Sequence, residues 1–239
     1  MLEVKKKSTT RWFNSSTEGM NPFGLTHYRN CQTTEKKFGF FRTISYTKFV
    51  DLTIDTNELL KSFEKNTQYE IRRAQREGVE FSEQITLHEF VEFYNIFAET
   101  KQRNKITYSS LEPLIKHLKI SKAMAGGDCL VVHLYLCDQT ASRAQLHYSA
   151  THFRKETNHD TIKLIGYANR FLHYSDMCHF KNLGYKIYDL GGYAHQTDNQ
   201  DLAKINKFKD CFHGKLVEEG NYMSIPLYMI EKAKKIFKK

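Results

Sequence analysis

The sequence predicts a mixed α+β fold in which helices are layered against a sheet. Short aromatic or β-branched runs precede two segments of helical periodicity, and the second half of the chain alternates polar and apolar residues as strands do. The elements do not repeat as strand–helix–strand units, so a regular parallel sheet is not expected. No linker rich in proline, glycine or serine divides the 239 residues. We therefore predict one domain over residues 1–239, beginning with a loop-rich segment over 1–35.

Two strands are expected early in the chain. Residues 11–35 are rich in turn-forming residues and lack any period, which predicts mostly loop. KFGFFRT (37–43) and FVDLTI (49–54) are short runs of aromatic or β-branched residues, and each predicts a strand.

Helices are expected next. Asp55 followed by Glu58 resembles a capping box, and Gly78 is typical of a helix end. Residues at helical spacing, all apolar except Thr67, mark two helices: Leu60, Phe63, Thr67, Ile71 and Ala74 in the first, and Leu87, Phe90, Val91, Tyr94 and Phe97 in the second. A short extended piece (79–81) separates them, and a weaker third helix is predicted over about 110–123.

The second half returns to strands. Residues 128–137 and 142–152 predict an antiparallel hairpin. Strict alternation would divide the second strand between two faces, with Arg143, Gln145, His147, Ser149 and Thr151 on one and Ala144, Leu146, Tyr148 and Ala150 on the other. A helix over about 166–183 and a strand over 185–190 are expected to follow.

The last elements are a short helix and a strand. A helix that ends before Gly214 is marked by apolar residues at helical spacing: Leu202, Ile205, Phe208 and Phe212. Residues 216–230 predict a strand or turn. The basic tail 231–239 predicts a solvated terminal helix, and contact with anionic lipid is the alternative.

Composition and charge narrow the function. With 40% hydrophobic and 26% charged residues, the chain is neither collagen-like nor a disordered polar chain. Its 36 lysines and arginines exceed the 27 acidic residues and give a net charge of +9. Such a surplus suits a polyanionic partner, namely nucleic acid, a nucleotide cofactor or a phospholipid surface, and charge for solubility alone is the alternative. The longest strongly apolar stretch, Cys129–Cys137, is nine residues long, too short to span a membrane.

Several classes of site are not expected. The N-terminus has basic residues without an apolar core behind them, so no signal peptide is predicted. Five cysteines without a CxxC pair argue against disulfides or zinc and indicate a reducing, cytoplasmic location. Eleven histidines form no HxH or HxxxH pair, and no metal site is predicted. The motifs GxxxxGK(S/T), GxGxxG, GxSxG and HExxH are absent.

An arginine cluster is the first candidate for chemistry. Arg72 and Arg76 lie at i and i+4, next to Arg73, so one helix face can grip a phosphate or carboxylate. The alternative is a solvated face with acidic neighbours: Glu70, Glu77 and Glu80.

A glycine pair and a lysine form the second candidate. Gly191 and Gly192 directly follow a buried strand, where the missing side chains allow close approach to the backbone; a tight turn is the alternative. Downstream, Lys209 lies next to Phe208, together with Lys204 and Lys207. A lysine held beside an aromatic ring at a cleft can neutralise a phosphate or stabilise an oxyanion.

In combination, these patterns resemble the Fem family, the aminoacyltransferases that build peptidoglycan interpeptide bridges, and their relatives in the GNAT superfamily. The run RRAQREG (72–78), the strand end GYKIYDLGG (184–192) and the segment KFKDCFHG (207–214) match the family's motifs in order and spacing. The resemblance covers residues 48–222, about three quarters of the chain.

The resemblance implies a GNAT-like mixed sheet flanked by helices, with central strands that separate to admit the acyl donor. It implies direct transfer from a carrier, acyl-CoA or aminoacyl-tRNA, to an amine. Lys209 would then contact substrate phosphate and the charge on the reacting carbonyl, with Phe208 packing beside it. The remaining assignments are substrate binding by Gly191, Gly192 and Tyr193, and a cradle for donor phosphates by Arg72, Arg73 and Arg76.

Two departures from the family pattern leave the donor open. Fem enzymes carry two GNAT-like halves, and this chain has the length of one half with additions. The GNAT pyrophosphate loop, (Q/R)xxGx(G/A), should follow the hairpin, but RKETNHDTIKLIG (154–166) stands there and does not match.

The predicted function is transfer of an acyl or aminoacyl group to an amine of a cell-envelope precursor, either a small molecule or a lipid-linked one. The amine must lose a proton, and His147 and Asp189 are the candidate acceptors; a structural histidine and a brace for the glycine loop are the alternatives. Transfer RNA is a partner if it carries the donor. The alternative function is a non-catalytic basic nucleic-acid-binding module, although Tyr135, Tyr148 and Tyr188 are expected in the core and not exposed for stacking.

Overall fold

The computed structural model describes residues 2–152 and 158–236, except for the side chain of Lys235. The strands in these ranges are β1 (Leu2–Lys5), β2 (Thr9–Trp12), β3 (Thr26–Cys31), β4 (Phe40–Asp51), β5 (Glu80–Ser82), β6 (Leu118–Ala125), β7 (Asp128–Asp138), β8 (Arg143–Thr151), β9 (Ile187–Tyr193) and β10 (Lys215–Ser224). The helices are α1 (Thr56–Ser62), α2 (Lys65–Arg76), α3 (Leu87–Thr100), α4 (Tyr108–Leu111), α5 (His159–Asn182), α6 (Gln200–Asp210) and α7 (Ile225–Ile236), with a 3₁₀ helix over Glu112–His117.

The strands form one mixed sheet in the order β1-β2-β3-β10-β4-β9-β8-β7-β6-β5. Neighbouring strands run antiparallel except for the pairs β2–β3 and β8–β9. Alternate residues of β7 face opposite layers, because Val131 and Tyr135 pack with α2 and α5, whereas Val132 and Leu134 pack with α3. The predicted α+β fold, a mixed sheet flanked by helices, is confirmed.

The N-terminal segment contains more structure than predicted. Residues 11–35 were expected to be mostly loop, but they hold the end of β2 and all of β3. Besides β2, strand β3 pairs with β10, almost two hundred residues away in the chain, and pairing at that separation leaves no local pattern. Trp12 and Phe13 pack with Leu136 of β7, so this segment also covers part of the sheet.

Two boundaries in the first half differ from the prediction. The expected strands over 37–43 and 49–54 are one strand, β4, which pairs with β10 on one side and β9 on the other. The expected single helix is divided into α1 and α2, because the backbone at Phe63 is extended (ψ 161°). The predicted ends hold, since Asp55 caps α1 by accepting from the Asn57 N–H at 2.8 Å and Gly78 has a positive φ of 74°.

The predicted helix over 110–123 is wrong beyond its first turns. Only α4 and the 3₁₀ helix are helical there, and β6 begins at Leu118. In contrast, α3 and the β7–β8 hairpin are confirmed. The predicted helix over 166–183 starts earlier, at His159, and the strand over 185–190 continues through both glycines to Tyr193.

A bulge changes the predicted faces of β8. Leu134 pairs with Tyr148 and Tyr135 pairs with Leu146, so His147 is an extra residue in β8. Tyr148 therefore packs around α3, whereas Leu146 packs around α5. The expectation that these two side chains share a face is corrected.

The C-terminal region continues the sheet and then a helix. The segment 216–230 contains β10, which lies between β3 and β4, and the start of α7. The basic tail 231–239 is helical as far as Ile236, and residues 237–239 lie outside the described ranges.

Candidate active site

The two central strands β8 and β9 pair over a short distance only. Their parallel ladder joins Arg143 to Ile187, Ala144 to Tyr188 and Gln145 to Asp189. Beyond it, β8 remains paired with β7 alone and β9 with β4 alone. We call the space between their later residues the crevice. It corresponds to the strand separation that the resemblance implies.

Gly191 lies at the point where the crevice begins. Its φ is +74°, and a Cβ atom there would lie 2.7 Å from the carbonyl oxygen of Leu146. Both the conformation and the close approach to β8 therefore require glycine. Gly192 is exposed, and a Cβ on it would meet nothing within 4 Å, so it borders open space.

Lys209 of α6 reaches back to this glycine pair. Its Nζ donates to the carbonyl oxygens of Gly191 at 3.0 Å and Gly192 at 2.6 Å. Burial lowers the pKa of Lys209 to about 8, although the charge of Asp189 acts in the opposite direction. An ammonium group has three N–H donors. Two are used by these carbonyls, which leaves one for an oxygen of a bound ligand.

The helix that carries Lys209 is fixed at both ends. Asn199 caps α6 by accepting from the N–H of Asp201 at 3.0 Å and of Leu202 at 3.1 Å. Asn206 holds the chain after β9, since its side chain accepts from the Ala194 N–H at 3.0 Å and donates to the Ala194 carbonyl at 2.7 Å. Asn206 was not among the predicted site residues, because a single asparagine on a polar helix gives no signal.

Phe208 and Tyr193 are the other predicted residues of this region. The ring of Phe208 packs against Phe212 at 5.5 Å, and the guanidinium of Arg170 lies 5.1 Å from its centre. Tyr193 donates from its hydroxyl to Asp210 at 3.3 Å. The structure therefore brings five predicted residues together: Gly191, Gly192, Tyr193, Phe208 and Lys209.

Asp189 lies below the glycine pair and is fully buried. Its carboxylate accepts from Nε of Arg143 at 3.0 Å, from Nε2 of Gln145 at 2.8 Å and from the Gly191 N–H at 2.8 Å. The Thr47 hydroxyl and a second guanidinium nitrogen of Arg143 also donate to it. Because donors occupy both oxygens, taking up a proton would break an ion pair.

Arg143 extends this buried ion pair to a third strand. It donates to Glu219 of β10 at 2.5 Å, and its guanidinium lies between the rings of Phe13 at 4.3 Å and Phe49 at 4.5 Å. Glu219 also accepts from Asn30 at 2.9 Å. Strands β3, β8, β9 and β10 are thus tied together beside the crevice.

His147 occupies the bulge of β8 and is half-buried. Burial lowers its pKa to about 4, and the positive charge of Arg29 acts in the same direction. Its imidazole is therefore neutral at pH 7 and keeps a lone pair. The ring of Tyr148 packs edge-on against it at 4.7 Å.

The three predicted arginines of α2 are exposed and do not act as one group. Arg72 and Arg76 line an open groove together with Tyr69 and Gln75. Arg73 points elsewhere and forms an ion pair with the next acidic residue of the helix, Glu77. Helix α2 packs on α5, where Glu70 pairs with Arg170 at 2.7 Å.

A buried polar network beneath β8 was not predicted. Tyr135 of β7 donates to Asp176 of α5 at 2.5 Å, and His133 approaches the same carboxylate oxygen at 2.8 Å. The hydroxyl of Tyr188 lies 2.7 Å from that of Tyr135 and 2.6 Å from Nδ1 of His173. The network links β7 and β9 across the point where β8 and β9 part. A histidine inside the most apolar strand was the available signal.

Burial keeps three members of this network uncharged: Tyr135, Tyr188 and His173. It lowers the pKa of His173 well below the usual value and raises those of Tyr135 and Tyr188. The two hydroxyls therefore remain protonated at pH 7, and the imidazole of His173 remains neutral.

Over residues 2–152 and 158–236, no three His, Cys, Asp or Glu side chains converge as metal ligands. Within the same residues, no helix combines the length and apolar character that crossing a bilayer requires. Residues 154–157 of the segment 154–166, which stands in place of the pyrophosphate loop, lie outside the described ranges. Helix α5 begins within this segment, at His159, with Asn158 as its cap.

The sequence was compared with protein families. The family model "FemAB family" matches residues 6–112, so the resemblance to Fem-type acyltransferases is confirmed. The matched region contains the arginines of α2 but neither the glycine pair nor Lys209. No protein with a curated description matches the sequence.

Solved structures with a similar fold include three of interest. The crystal structure of FemX has a TM-score of 0.62 and 14% identity, covering 83% of this chain and 67% of that one. The C-terminal domain (DUF2156) of a protein from Agrobacterium fabrum has a TM-score of 0.55 and 13% identity, covering 92% of this chain and 78% of that one. L-PGS from Bacillus licheniformis has a TM-score of 0.53 and 14% identity, covering 91% of this chain and 74% of that one. At these identities, the likeness establishes the fold.

Proposed function

We propose that this chain is an acyltransferase of the Fem type, which moves an acyl or aminoacyl group from a carrier to an amine of a cell-envelope precursor. The observation that carries the proposal is the ammonium group of Lys209, held by two glycine carbonyls at the mouth of the crevice with one N–H unused. The FemAB family match and the fold shared with FemX support it.

In the proposed reaction, the amine attacks the acyl carbon and a C–N bond forms. The carbonyl oxygen becomes an oxyanion, which accepts a hydrogen bond from the free N–H of Lys209. The C–O bond of an aminoacyl ester, or the C–S bond of a thioester, then breaks, and its electron pair leaves with the carrier. The proton lost by the amine passes to His147 and from there to the leaving oxygen or sulfur.

We assign His147 and Asp189 different roles because their environments differ. His147 is neutral and weakly basic, with a pKa of about 4. A weak base suffices once the attacking nitrogen has become positively charged, because that nitrogen is then strongly acidic. Asp189 is already paired with Arg143, and we assign it a positioning role for the Gly191 loop.

Two donors remain candidates. An acyl-CoA would place its phosphates in the groove of Arg72 and Arg76, with Arg73 as a more distant contributor. An aminoacyl-tRNA would contact a wide area of this chain, whose net charge is +9. In either case we place the reaction in the cytoplasm, with a small or lipid-linked envelope precursor as acceptor.

Thermal unfolding with a panel of acyl-CoAs separates these donors. A ligand that binds the native state at 100 times its Kd adds about 2.7 kcal/mol to the free energy of unfolding. A shift abolished in an Arg72→Ala/Arg76→Ala variant identifies an acyl-CoA site on α2. If no thioester raises the unfolding temperature, tRNA binding is measured at increasing salt concentrations, and the affinity is expected to decrease steeply. Failure of both classes to bind would reject the proposal.

The nucleic-acid-binding alternative has little support. Single-strand binders expose aromatic rings along a strand face. Here Tyr135 and Tyr188 are fully buried in the polar network, and Tyr148 packs against α3. We therefore do not propose a non-catalytic binding role.

A further inference from the structure

Two phenylalanines project into solvent at one end of the sheet. Phe23 is 85% exposed and Phe38 is 92% exposed. Their loops are in contact, because Gly39 packs so closely on Pro22 that a Cβ atom at Gly39 would collide with it. Large apolar side chains exposed on adjoining loops are characteristic of interaction sites.

Helix α7 extends this apolar surface. The N–H of Ile225 donates to the Gly39 carbonyl at 3.0 Å, and Tyr228 stacks on Phe41 at 4.5 Å. Ile225, Met229 and Ile236 follow at helical spacing and are 50%, 59% and 66% exposed. We define the apical patch by its exposed members: Phe23, Phe38, Phe41, Ile225 and Met229.

The rim of the apical patch is basic. Lys36 and Lys37 precede Phe38, and α7 carries Lys232 and Lys234. The turn with Lys6 and Lys7 belongs to the same end, because the Thr9 N–H donates to the Leu25 carbonyl at 2.8 Å. Two acidic residues accompany these lysines, Glu35 and Glu231, and Glu231 pairs with Lys234 at 2.7 Å.

The apical patch lies at the end of the sheet to which the crevice opens. Strand β4 is antiparallel to β9, with Tyr46 opposite Tyr193. The first residue of β4, Phe40, is therefore beyond the last residue of β9, and it pairs with Ser224 at the start of α7. A surface that contacts the apical patch would face the mouth of the crevice.

We infer that the apical patch docks this protein on the surface of an anionic phospholipid bilayer. Aromatic side chains insert at the boundary of head groups and acyl chains, and a lysine rim is complementary to anionic lipid. Because the rim is positively charged, an anionic bilayer matches it better than an apolar protein surface does. The inference concerns where the protein works and requires neither of the two proposed donors.

Sedimentation with vesicles of phosphatidylcholine, with and without phosphatidylglycerol, tests the inference. The wild-type protein is expected to bind the anionic vesicles and to release at high salt. Phe23→Ser/Phe38→Ser is expected to weaken binding by more than about tenfold, since burying one phenylalanine accounts for at least that factor. Both side chains are exposed, so folding should be unchanged. Ile115→Ser/Lys116→Glu, an exposed apolar and basic pair on the 3₁₀ helix, is the matched control and should bind normally.

Three results would overturn the inference: no binding to anionic vesicles, equal binding to neutral ones, or normal binding by the double phenylalanine variant. A wild-type dimer that the same variant dissociates would instead identify a second copy as the occupant. Vesicle binding is independent of turnover, so Lys209→Ala should bind like the wild type. An inactive protein that binds vesicles, or an active one that does not, separates this inference from the proposed reaction.

Discussion

Lys209 is the residue on which the proposed chemistry depends. Lys209→Ala removes the donor to the oxyanion, and we expect turnover to fall by about 10²–10³-fold with the unfolding temperature nearly unchanged. Lys207→Ala, on the exposed side of the same helix, is the control. Normal turnover by a folded Lys209→Ala protein would contradict the assignment.

The pH dependence of turnover tests the charge on Lys209. Its pKa is lowered to about 8, so the ammonium form is present below that pH and is lost above it. We expect kcat/KM to fall as the pH rises through about 8, and Lys209→Arg to remove that fall because arginine stays charged. Because the pKa of His147 is about 4, its titration should cause no decrease in kcat/KM between pH 5 and 7. An identical alkaline decrease in the arginine variant would assign the titration to another group.

The two glycines should respond differently to alanine. Gly191→Ala places a Cβ against Leu146 and forces a positive φ, which costs about 1–3 kcal/mol for the backbone conformation alone. Gly192→Ala meets no atom of the protein. We expect it to fold normally and to raise KM if substrate passes there. Denaturant unfolding and steady-state kinetics on both variants check this, and an unchanged KM for Gly192→Ala would place the substrate elsewhere.

The site residues that were predicted are those that belong to short sequence motifs. Gly191, Gly192 and Lys209 were found in this way, because the motif order specifies a strand end and the helix after it. For the arginines, the alternative that the sequence offered applies to Arg73, which pairs with its acidic neighbour Glu77 and does not join Arg72 and Arg76. The network around Asp176 joins three distant segments, and no local pattern reports such contacts.

Where elements meet, the buried pair of Asp189 and Arg143 joins β9 to β8. Asp189→Asn leaves the buried guanidinium with Glu219 as its remaining carboxylate, and we expect a loss of about 3–5 kcal/mol in unfolding free energy. Glu77→Gln, which breaks the exposed pair on α2, should change stability by less than about 1 kcal/mol. Denaturant titration measures both. Full stability of Asp189→Asn with loss of turnover would instead indicate a role as proton acceptor.

The predicted elements were reliable where local patterns act alone. The period of α3 and the alternation in the β7–β8 hairpin are properties of neighbouring residues, and both were predicted. The extent of β4 was not, because its polar middle, Thr43–Lys48, is held in the sheet by pairing with β10, and from Tyr46 onward also with β9, and both strands are distant in the sequence. In β8, one bulged residue, His147, was enough to move Tyr148 to the other face.

Over the entire chain, the sequence predicts the fold class better than the arrangement of the strands. An α+β fold follows from the order of periodic segments. The order of ten strands in the sheet does not follow, because β10 inserts between β3 and β4. Contacts of such long sequence separation depend on tertiary packing.

The insertion of β10 also has a consequence for biosynthesis. On a ribosome, β3 and β4 emerge well before β10, the strand that joins them. Until β10 has been made, β3 and β4 each present an unpaired edge that can recruit another chain. These two edges therefore stay open while the entire segment between β4 and β10 is translated, and they are the places where misassembly during synthesis is expected.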